Sequence, residues 1–357
     1  MPRMKLRLLS NAILLLLRFT GNVSAQTPEA PALLLQRAFD QLHHEQYDSA
    51  LATCAELRRL QPEDPSGYVM AGGVYQAMMR LYRVRLFEAE LDSLSRLAEK
   101  LAQKQTRKSG SAEAWFLLGS AKGSFALQRF HRGEWAPALQ DVVLALHAMK
   151  EAMKRDKDFM DPALMLGLYE YWKSKKLGMG TGLFSGSRKD ALRLLEQVQA
   201  KARYVRLDAK FTLQDLYMHE GEYERALAIN EELYAQLPEH PSVLQHRAVL
   251  LEKVRREEEA LPVWEKLYER LSAFRRPSYA FLAECRLHRA RILESMKAEE
   301  LQILAAVESA ATNMRQCDRK LEMSGPFENF DELSKAIQEM QRKHAAAPPA
   351  AAEAGKQ

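Results

Sequence analysis

Two His-Glu pairs resemble the beginning of the H-E-x-x-H zinc motif, in which two histidines on one helix face bind the metal and the glutamate acts as general base. They are His44-Glu45 and His219-Glu220. The position of the second histidine is Asp48 in one case and Tyr223 in the other, so the second ligand is missing. We therefore expect no metal site and interpret these histidines as solvated or capping side chains.

The cysteines do not form a pattern typical of a nucleophile or a zinc site. Cys54, Cys285 and Cys317 are an odd number, and none belongs to a C-x-x-C pair. No G-x-S-x-G motif is present, and nothing next to Cys54 would activate its thiol. We predict buried free thiols, no catalytic residue and no cofactor.

An uncharged segment at 177–187, L-G-M-G-T-G-L-F-S-G-S, carries four glycines. Their spacing fits neither G-x-G-x-x-G nor G-x-x-x-x-G-K-[ST], and no predicted strand precedes them, so the segment does not indicate a nucleotide site. Two interpretations stay open. Leu183 and Phe184 pack into the protein as part of an inter-helix loop, or Met179, Leu183 and Phe184 are exposed and contact an acidic or lipid surface. Basic residues flank the segment and suit the second interpretation: Lys173, Lys175, Lys176, Arg188 and Lys189.

The elements that would position these residues are predicted by a recurring Ala-Leu pair. It returns after 35 and then 34 residues, at Ala191-Leu192, Ala226-Leu227 and Ala260-Leu261. Each Ala is followed by a glutamate five positions later and by an aliphatic residue seven positions later. A period of this size indicates one supersecondary unit that buries its apolar face by stacking on its neighbours.

The stretch 207–240 resembles a tetratricopeptide repeat. The residues that carry the resemblance fall where the family places Leu, Tyr, Gly, Tyr, Ala, Leu and Pro: Leu213, Tyr217, Gly221, Tyr223, Ala226, Leu227 and Pro238. Divergent copies lie at 31–64, 112–155 and 241–274, and in the first of these Glu45 replaces the turn glycine. The resemblance implies an all-α, right-handed solenoid of antiparallel helix hairpins covering residues 26–343.

Other boundaries follow from turn signals. Between Val74 and Thr106 there is no Gly or Pro, so 66–106 is either one long helix or a hairpin broken near 80–85. Asp161-Pro162 predicts a helix start with Asp161 as its cap. We expect C-terminal capping helices within 278–343 and a disordered Ala/Pro tail at 344–357.

The first 25 residues are typical of a secretory signal peptide. A basic start precedes an apolar stretch at 8–17, and Val23-Ser24-Ala25 fits cleavage after Ala25. Arg18 ends the apolar stretch too early for a membrane span, which needs about 20 apolar residues. We expect an exported protein, periplasmic or outer-envelope associated, with secretion also possible. A mitochondrial-type presequence is the alternative.

The charge balance argues against a nucleic-acid partner. The formal net charge is +5, but four of the basic residues precede Gln26, which leaves +1 for the remainder of the chain. Nucleic-acid binding needs a concentrated excess of Lys and Arg.

The resemblance also implies a concave groove that captures a peptide. Carried over by repeat position, its lining is Leu35, Phe39, Leu42, His43, Phe211, Asp215, Met218, His219, Gln245, Val249, Glu252 and Lys253. Chaperone-binding members hold a terminal carboxylate with Lys and Asn at several of these positions, whereas Phe211 and Asp215 occupy two of them here. A mixed apolar groove for a helix or extended segment is therefore expected, although Leu35 and Phe39 also suit packing between repeats.

These observations predict a non-enzymatic protein-interaction scaffold of the cell envelope, with a protein or peptide partner and peripheral contact with membrane or envelope as a further possibility. The alternative is a factor that binds or processes a carbohydrate or envelope polymer. Its support would be exposed stacking faces on tryptophan. The candidates are Trp115, Trp135, Trp172 and Trp264.

Overall fold

Short loops join consecutive helices, so that neighbours in sequence pack as antiparallel pairs. The computed structural model describes residues 30–181, 185–326 and 329–345, with only the backbone of 175–181, 185–187 and 345. These residues form fifteen α-helices. In chain order they are α1 (Pro31–His43), α2 (Tyr47–Leu60), α3 (Ser66–Tyr82), α4 (Glu88–Lys108), α5 (Ala112–His131), α6 (Trp135–Arg155), α7 (Ala163–Thr181), α8 (Ser185–Lys201), α9 (Arg206–Glu220), α10 (Tyr223–Gln236), α11 (Pro241–Lys253), α12 (Glu257–Ser272), α13 (Tyr279–Ser295), α14 (Glu300–Gln316) and α15 (Phe330–Ala345).

The hairpins are α1/α2, α3/α4, α5/α6, α7/α8, α9/α10, α11/α12 and α13/α14, and α15 packs on α13 and α14 at the end of the stack. The segment 66–106 is a hairpin and not one helix, because α3 ends at Tyr82 and α4 begins at Glu88. Arg83 breaks the helix by adopting a left-handed conformation, with φ of 54°. The all-α repeat architecture expected from the sequence is confirmed.

A left-handed residue ends the first helix of several hairpins. It is glycine at 133 and 221, both with φ of 76°, but Glu45, Arg255 and Lys297 hold the same position with φ of 56°, 63° and 55°. The following backbone N–H bonds a carbonyl five residues earlier in each case, for example Gln46 N–H to the Gln41 oxygen at 2.8 Å. This is the hydrogen bond of a Schellman cap. A residue with a Cβ is strained there, so the turn position favours glycine, but Glu45, Arg255 and Lys297 show that it does not require it.

Small residues allow the helices to approach one another closely. Ala226 and Ala260 are both fully buried, as expected from the repeat pattern. Gly119 lies so close to α6 that a Cβ on it would come within 2.8 Å of the Met149 methyl carbon. Close packing of this kind gives the stack its core.

Asp161 does not cap its own helix, which differs from the sequence expectation. Its buried carboxylate accepts hydrogen bonds from the backbone N–H groups of Arg203, Tyr204 and Val205, at 2.8, 2.7 and 3.1 Å. These donors belong to the turn that leads into α9, and they would otherwise be left without partners. The aspartate therefore fixes a turn 42 or more residues away in sequence.

The solenoid curves until its first hairpins contact its last ones. The Phe39 and Tyr204 rings stack at 5.6 Å between centroids, and the Tyr82 and Phe274 rings at 3.7 Å. The backbone of 83–85 pairs with that of 321–323, through Arg85 N–H to the Leu321 oxygen and Met323 N–H to the Arg83 oxygen. As a result α3 packs against α11, on the side where the C-terminal repeats would have an open groove.

Three expectations fall partly or wholly outside the described residues. The predicted signal peptide at 1–25 lies outside them, and so does the tail beyond 345. The glycine-rich segment is shorter as a loop than the sequence predicts, because α7 continues to Thr181 and α8 begins at Ser185. Glycine costs a helix about 1 kcal/mol per residue but does not forbid it, and the segment contains no proline. Among the described helices, none combines the length and the apolar character that crossing a bilayer would require.

Candidate functional site

The residues predicted to line a groove are not all open to solvent. Gln245 and Val249 are each only 5% exposed, because α3 covers this face of α11. The Gln245 amide donates to Glu284 Oε1 at 3.0 Å. Glu252 also belongs to an internal network, since it accepts hydrogen bonds from Trp264 Nε1 at 2.5 Å and from His288 Nδ1 at 2.9 Å. These three residues stabilise the repeats, and as placed they do not form a free peptide-binding surface.

The other predicted groove residues of the C-terminal repeats lie along α9 and at the end of α11. Asp215 is exposed and pairs with His246 at 3.2 Å. His219 and Lys253 are exposed, whereas Phe211 and Met218 are half-buried. The side chains of Met179, Leu183 and Phe184 lie outside the described residues.

A cavity of about 440 Å³ lies instead on the concave side of the N-terminal half, between α1, α3, α5 and α7. Large apolar side chains surround it, among them Leu35, Phe39, Leu42, Met70, Phe116 and Leu127. Small residues of α3 and α5 also line it: Gly72, Gly73, Ala77, Ala121 and Gly123. A Cβ added at Gly73 would meet no atom within 4 Å, so this glycine faces open volume. Cavities of this size and polarity are typical of small-molecule sites.

The hydroxyl groups in the lining are largely bonded within the protein. Ser124 Oγ donates to Gln76 Oε1 at 3.3 Å, and Ser120 Oγ donates to the Phe116 carbonyl at 2.9 Å. Ser95 Oγ accepts from the Gln128 amide at 3.2 Å. The cavity consequently offers a guest apolar contact and few hydrogen-bonding partners.

Arg80, in the last turn of α3, lies at the edge of this cavity. It also lines an adjoining space of about 290 Å³, together with Arg83, Asp215, His246 and the segment 323–326. Across the described part of the chain, no hydrogen bond or ion pair within 4.0 Å is made by the Arg80 guanidinium. Partial burial acts to raise the pKa of Asp208, another lining residue. The hydrogen bond from His43 and the charges of His43 and Arg80 outweigh this effect, and they hold that pKa below its usual value.

A second surface is the outer side of α6, here called the α6 face and defined by Trp135, Leu139, Val143 and Leu144. The first three are spaced four residues apart and are 65%, 58% and 65% exposed. Helical residues at this spacing lie on one side. The opposite side of α6 is buried and rich in alanine: Ala138, Ala145, Ala148 and Ala152. Of these residues only Trp135 was expected at the surface, although the four-residue spacing of Trp135, Leu139 and Val143 can be read from the sequence.

Comparison with known proteins shows the fold. No family model matches the chain, and no curated protein matches it. Among solved structures, a chain of the APC/C hetero-tetramer Cut9–Hcn1 is 12% identical with a TM-score of 0.54, the match covering 88% of this chain and 50% of that one. The human IFIT1 dimer with PPP-AAAA is 14% identical with a TM-score of 0.51, covering 89% and 66%. A thermophilic TPR protein from Thermus thermophilus is 17% identical with a TM-score of 0.41, covering 62% and 99%.

The fold is a tetratricopeptide-repeat-like solenoid. This chain spans half the length of the APC/C protein that it matches, so that protein's assembly is no guide to its activity.

The tryptophans of the TPR-like solenoid differ in exposure. Trp264 is 1% exposed and its ring stacks on His288 at 4.2 Å between centroids, so it is a core residue. Trp115 is half-buried. Trp135 and Trp172 are exposed, the second with its ring edge-on to His219 at 4.7 Å. Two of the four tryptophans, Trp135 and Trp172, are therefore exposed enough to stack on a sugar ring of a polymer.

The thiols of the solenoid are unsuited to nucleophilic chemistry. All three cysteines are free. Burial raises the pKa of Cys54 and of Cys317 to about 12, and it raises the pKa of Cys285 as well. A thiol, and not the reactive thiolate, is then present at neutral pH. Across the described part of the chain, no three His, Cys, Asp or Glu side chains meet in a way that could hold a metal ion.

Proposed function

We propose that this chain is an exported, non-enzymatic interaction scaffold of the cell envelope, and that the α6 face is where it binds a protein partner. The observation that carries the proposal is the row Trp135, Leu139 and Val143, which leaves three large apolar side chains in water. Burying such a side chain contributes roughly 1.5–3 kcal/mol. Tryptophan is also enriched among the residues that dominate binding energy at protein interfaces.

The glycine-rich insertion is a second element of the proposal. It includes the last turn of α7 and the first turn of α8. The carboxyl end of α7 lies on the same side of the stack as the amino end of α6, since these helices are successive and antiparallel. We propose that Met179, Leu183 and Phe184, whose side chains lie outside the described residues, contact the same partner. Their replacement together by Ser should leave the melting temperature unchanged and weaken partner binding. A variant that melts earlier would instead identify the three side chains as core.

Export rests on the sequence of the first 25 residues. The basic start, the apolar stretch and Val23-Ser24-Ala25 support cleavage after Ala25. Intact-mass measurement of protein from the envelope fraction should give a chain that begins at Gln26. A chain that still begins at Met1 would contradict this part of the proposal.

The partner-binding proposal is tested by photo-crosslinking in the producing cell. A photoreactive amino acid replaces Leu139 or, as a control on another exposed surface, Arg59 of α2. Position 139 should give a discrete adduct with a second protein, and position 59 should not. An adduct between two copies of this chain, an adduct with lipid, or equal labelling at both positions would each contradict binding of a protein partner at the α6 face.

The alternative of a polymer-binding factor is favoured only by Trp135 and Trp172, whose exposed indole faces could stack on sugar rings. Envelope polysaccharide added to the purified protein should then change the tryptophan fluorescence. The change should disappear in Trp135→Ala if this alternative holds.

A further inference from the structure

We propose that the concave cavity between α1, α3, α5 and α7 binds a single acyl chain whose anionic head group pairs with Arg80. This ligand site goes beyond the proposed scaffold function, because it concerns a small amphiphile and a surface separate from the α6 face. The shared chemistry is one alkyl chain ending in a carboxylate or a phosphate, as in a fatty acid or a lysophospholipid.

The apolar part of the ligand follows from the lining. The space of about 440 Å³ is bounded by Leu35, Phe39, Leu42 and Phe116, and widened by the missing side chain of Gly73. Burial of a hydrocarbon against apolar surface of this kind is favourable in proportion to the area removed from water. A single alkyl chain also adapts to an irregular cavity, because its torsions rotate freely.

Hydrogen bonding distinguishes an acyl chain from a peptide. A peptide segment brings a backbone N–H and C=O with every residue, and leaving these unpaired in an apolar cavity costs free energy. Ser120, Ser124 and Ser95 are engaged with groups of the protein itself. A hydrocarbon needs no such partners, so the cavity suits it better than it suits a peptide.

The charge of the head group follows from Arg80. Within the described residues this guanidinium has no hydrogen bond or ion pair, and it lies where the apolar cavity opens into the adjoining polar space. Asp208, the nearby carboxylate in the lining, already bonds His43 at 3.2 Å. Arg83 is likewise committed to Glu284. The Arg80 charge acts on Asp208 as well, but within the described residues its guanidinium donates no hydrogen bond, so it is available to an anion entering head-outward. Guanidinium groups bind carboxylate and phosphate well.

Gly73 allows the cavity to be filled without disturbing the fold. Nothing lies within 4 Å of the position its Cβ would occupy, and the residue is inside α3. Replacement of glycine by a better helix former should leave the melting temperature unchanged or raise it. Gly73→Leu therefore projects a branched side chain into the ligand space, and Gly73→Ala is the matched control that leaves most of the space free.

The experiment measures displacement of the fluorescent fatty acid cis-parinaric acid from the folded chain that begins at Gln26. The competitors share one alkyl chain and differ in the head: dodecanoate, dodecyl phosphate, dodecanol and dodecyltrimethylammonium. We expect the two anions to bind at least about ten-fold more tightly than the alcohol, as one ion pair would give, and the cation to bind most weakly. The ratio of the two anions then shows whether a fatty acid or a phospholipid-type head is preferred.

Two variants locate the site. Gly73→Leu should abolish displacement while its melting temperature is unchanged or higher, and Gly73→Ala should bind nearly as well as the unmodified chain. Arg80→Gln should remove the preference for anions over dodecanol, whereas Arg59→Gln on α2 should not. If Gly73→Leu fails to fold, Gly73→Cys alkylated with a hexyl thiosulfonate after folding fills the same space.

Several results would overturn the inference. Equal affinity for dodecanoate and dodecanol would show that Arg80 does not pair with the head group. An anion preference that survives Arg80→Gln would show the same. Undiminished binding in the filled variants places the amphiphile elsewhere. A filled variant that keeps amphiphile binding but loses the protein adduct at position 139 would identify the cavity as part of a peptide site.

Discussion

Loss of the Arg83–Glu284 ion pair should destabilise this solenoid far more than loss of any surface pair. Arg83 Nη1 and Nη2 lie 2.6 and 3.2 Å from the two carboxylate oxygens of Glu284, and these residues are separated by 201 positions in sequence. The side chains are only 5% and 1% exposed. The guanidinium also lies over the Phe281 ring at 3.5 Å from its centroid. The pair therefore joins the break after α3 to α13, where the curved stack closes on itself.

The magnitude follows from burial. Removing one member of a buried ion pair leaves an unpaired charge in a medium of low polarity, which costs about 3–5 kcal/mol. Arg83→Met should fall in that range, and Glu284→Gln near its lower end because the amide still accepts one hydrogen bond. The partly exposed pair Arg37–Glu56 offers a control, since pairs of that kind contribute about 0–1 kcal/mol.

Urea denaturation followed by far-UV circular dichroism gives the free energy of unfolding of each variant. Small-angle X-ray scattering of the folded forms reports whether the stack opens. The double variant Arg83→Met/Glu284→Met should lose markedly less free energy of unfolding than the two single variants lose together, because no buried charge is left alone. A cost below about 1 kcal/mol for Arg83→Met, similar to Arg37→Met, would refute the reasoning and show that closure depends on the aromatic and backbone contacts instead.

Other expected outcomes concern the repeats themselves. Arg255→Gly should stabilise the protein by up to about 1 kcal/mol in urea denaturation, because glycine removes the strain at φ of 63°; Arg256→Gly, at φ of −109°, should not. Ala226→Leu should overpack a fully buried contact and cost roughly 1–3 kcal/mol, and an unchanged melting temperature would show that the register is wrong. Burial and neighbouring positive charges lower the pKa of His240 to about 3, so its neutral form is favoured in the folded state. Stability should therefore be full above the unfolded pKa of about 6.5 and fall towards pH 3 by at most about 1.4 kcal/mol per unit, with a shallower fall in His240→Asn.

The repeat architecture was predictable because its signals are local. Gly221 sets a turn, Ala226 permits a close helix contact, and Pro238 ends a helix, all within one 34-residue unit. The break after α3 was harder to place, since Arg83 enters the left-handed region without the glycine that usually marks it. Closure of the stack could not be foreseen, because it depends on pairs such as Arg83 and Glu284 that have no sequence pattern in common.

The candidate site was predicted less well for the same reason. Carrying over groove positions from the repeat family assumes an open concave face, and closure buries Gln245 and Val249. Two signals were nevertheless present in the sequence. Gly72-Gly73 places two adjacent glycines inside a helix, and Trp135, Leu139 and Val143 share one helix face. Each is weak alone, because small residues more often mark tight packing and apolar stripes more often face a core.

Closure also connects the ion pair to the proposed ligand cavity. Arg80 and Arg83 are three residues apart in α3 and at its end, so both lie near one side of the chain, and the Glu284 contact fixes the turn that holds them. Opening the stack should therefore misplace Arg80 and weaken dodecanoate binding even though the cavity lining is intact. The reverse does not hold, because Gly73→Leu fills empty space and touches no closing contact. Scattering could show an open stack in Arg83→Met while this variant still binds dodecanoate as tightly as the unmodified chain. That result would mean that the cavity forms within the N-terminal hairpins alone.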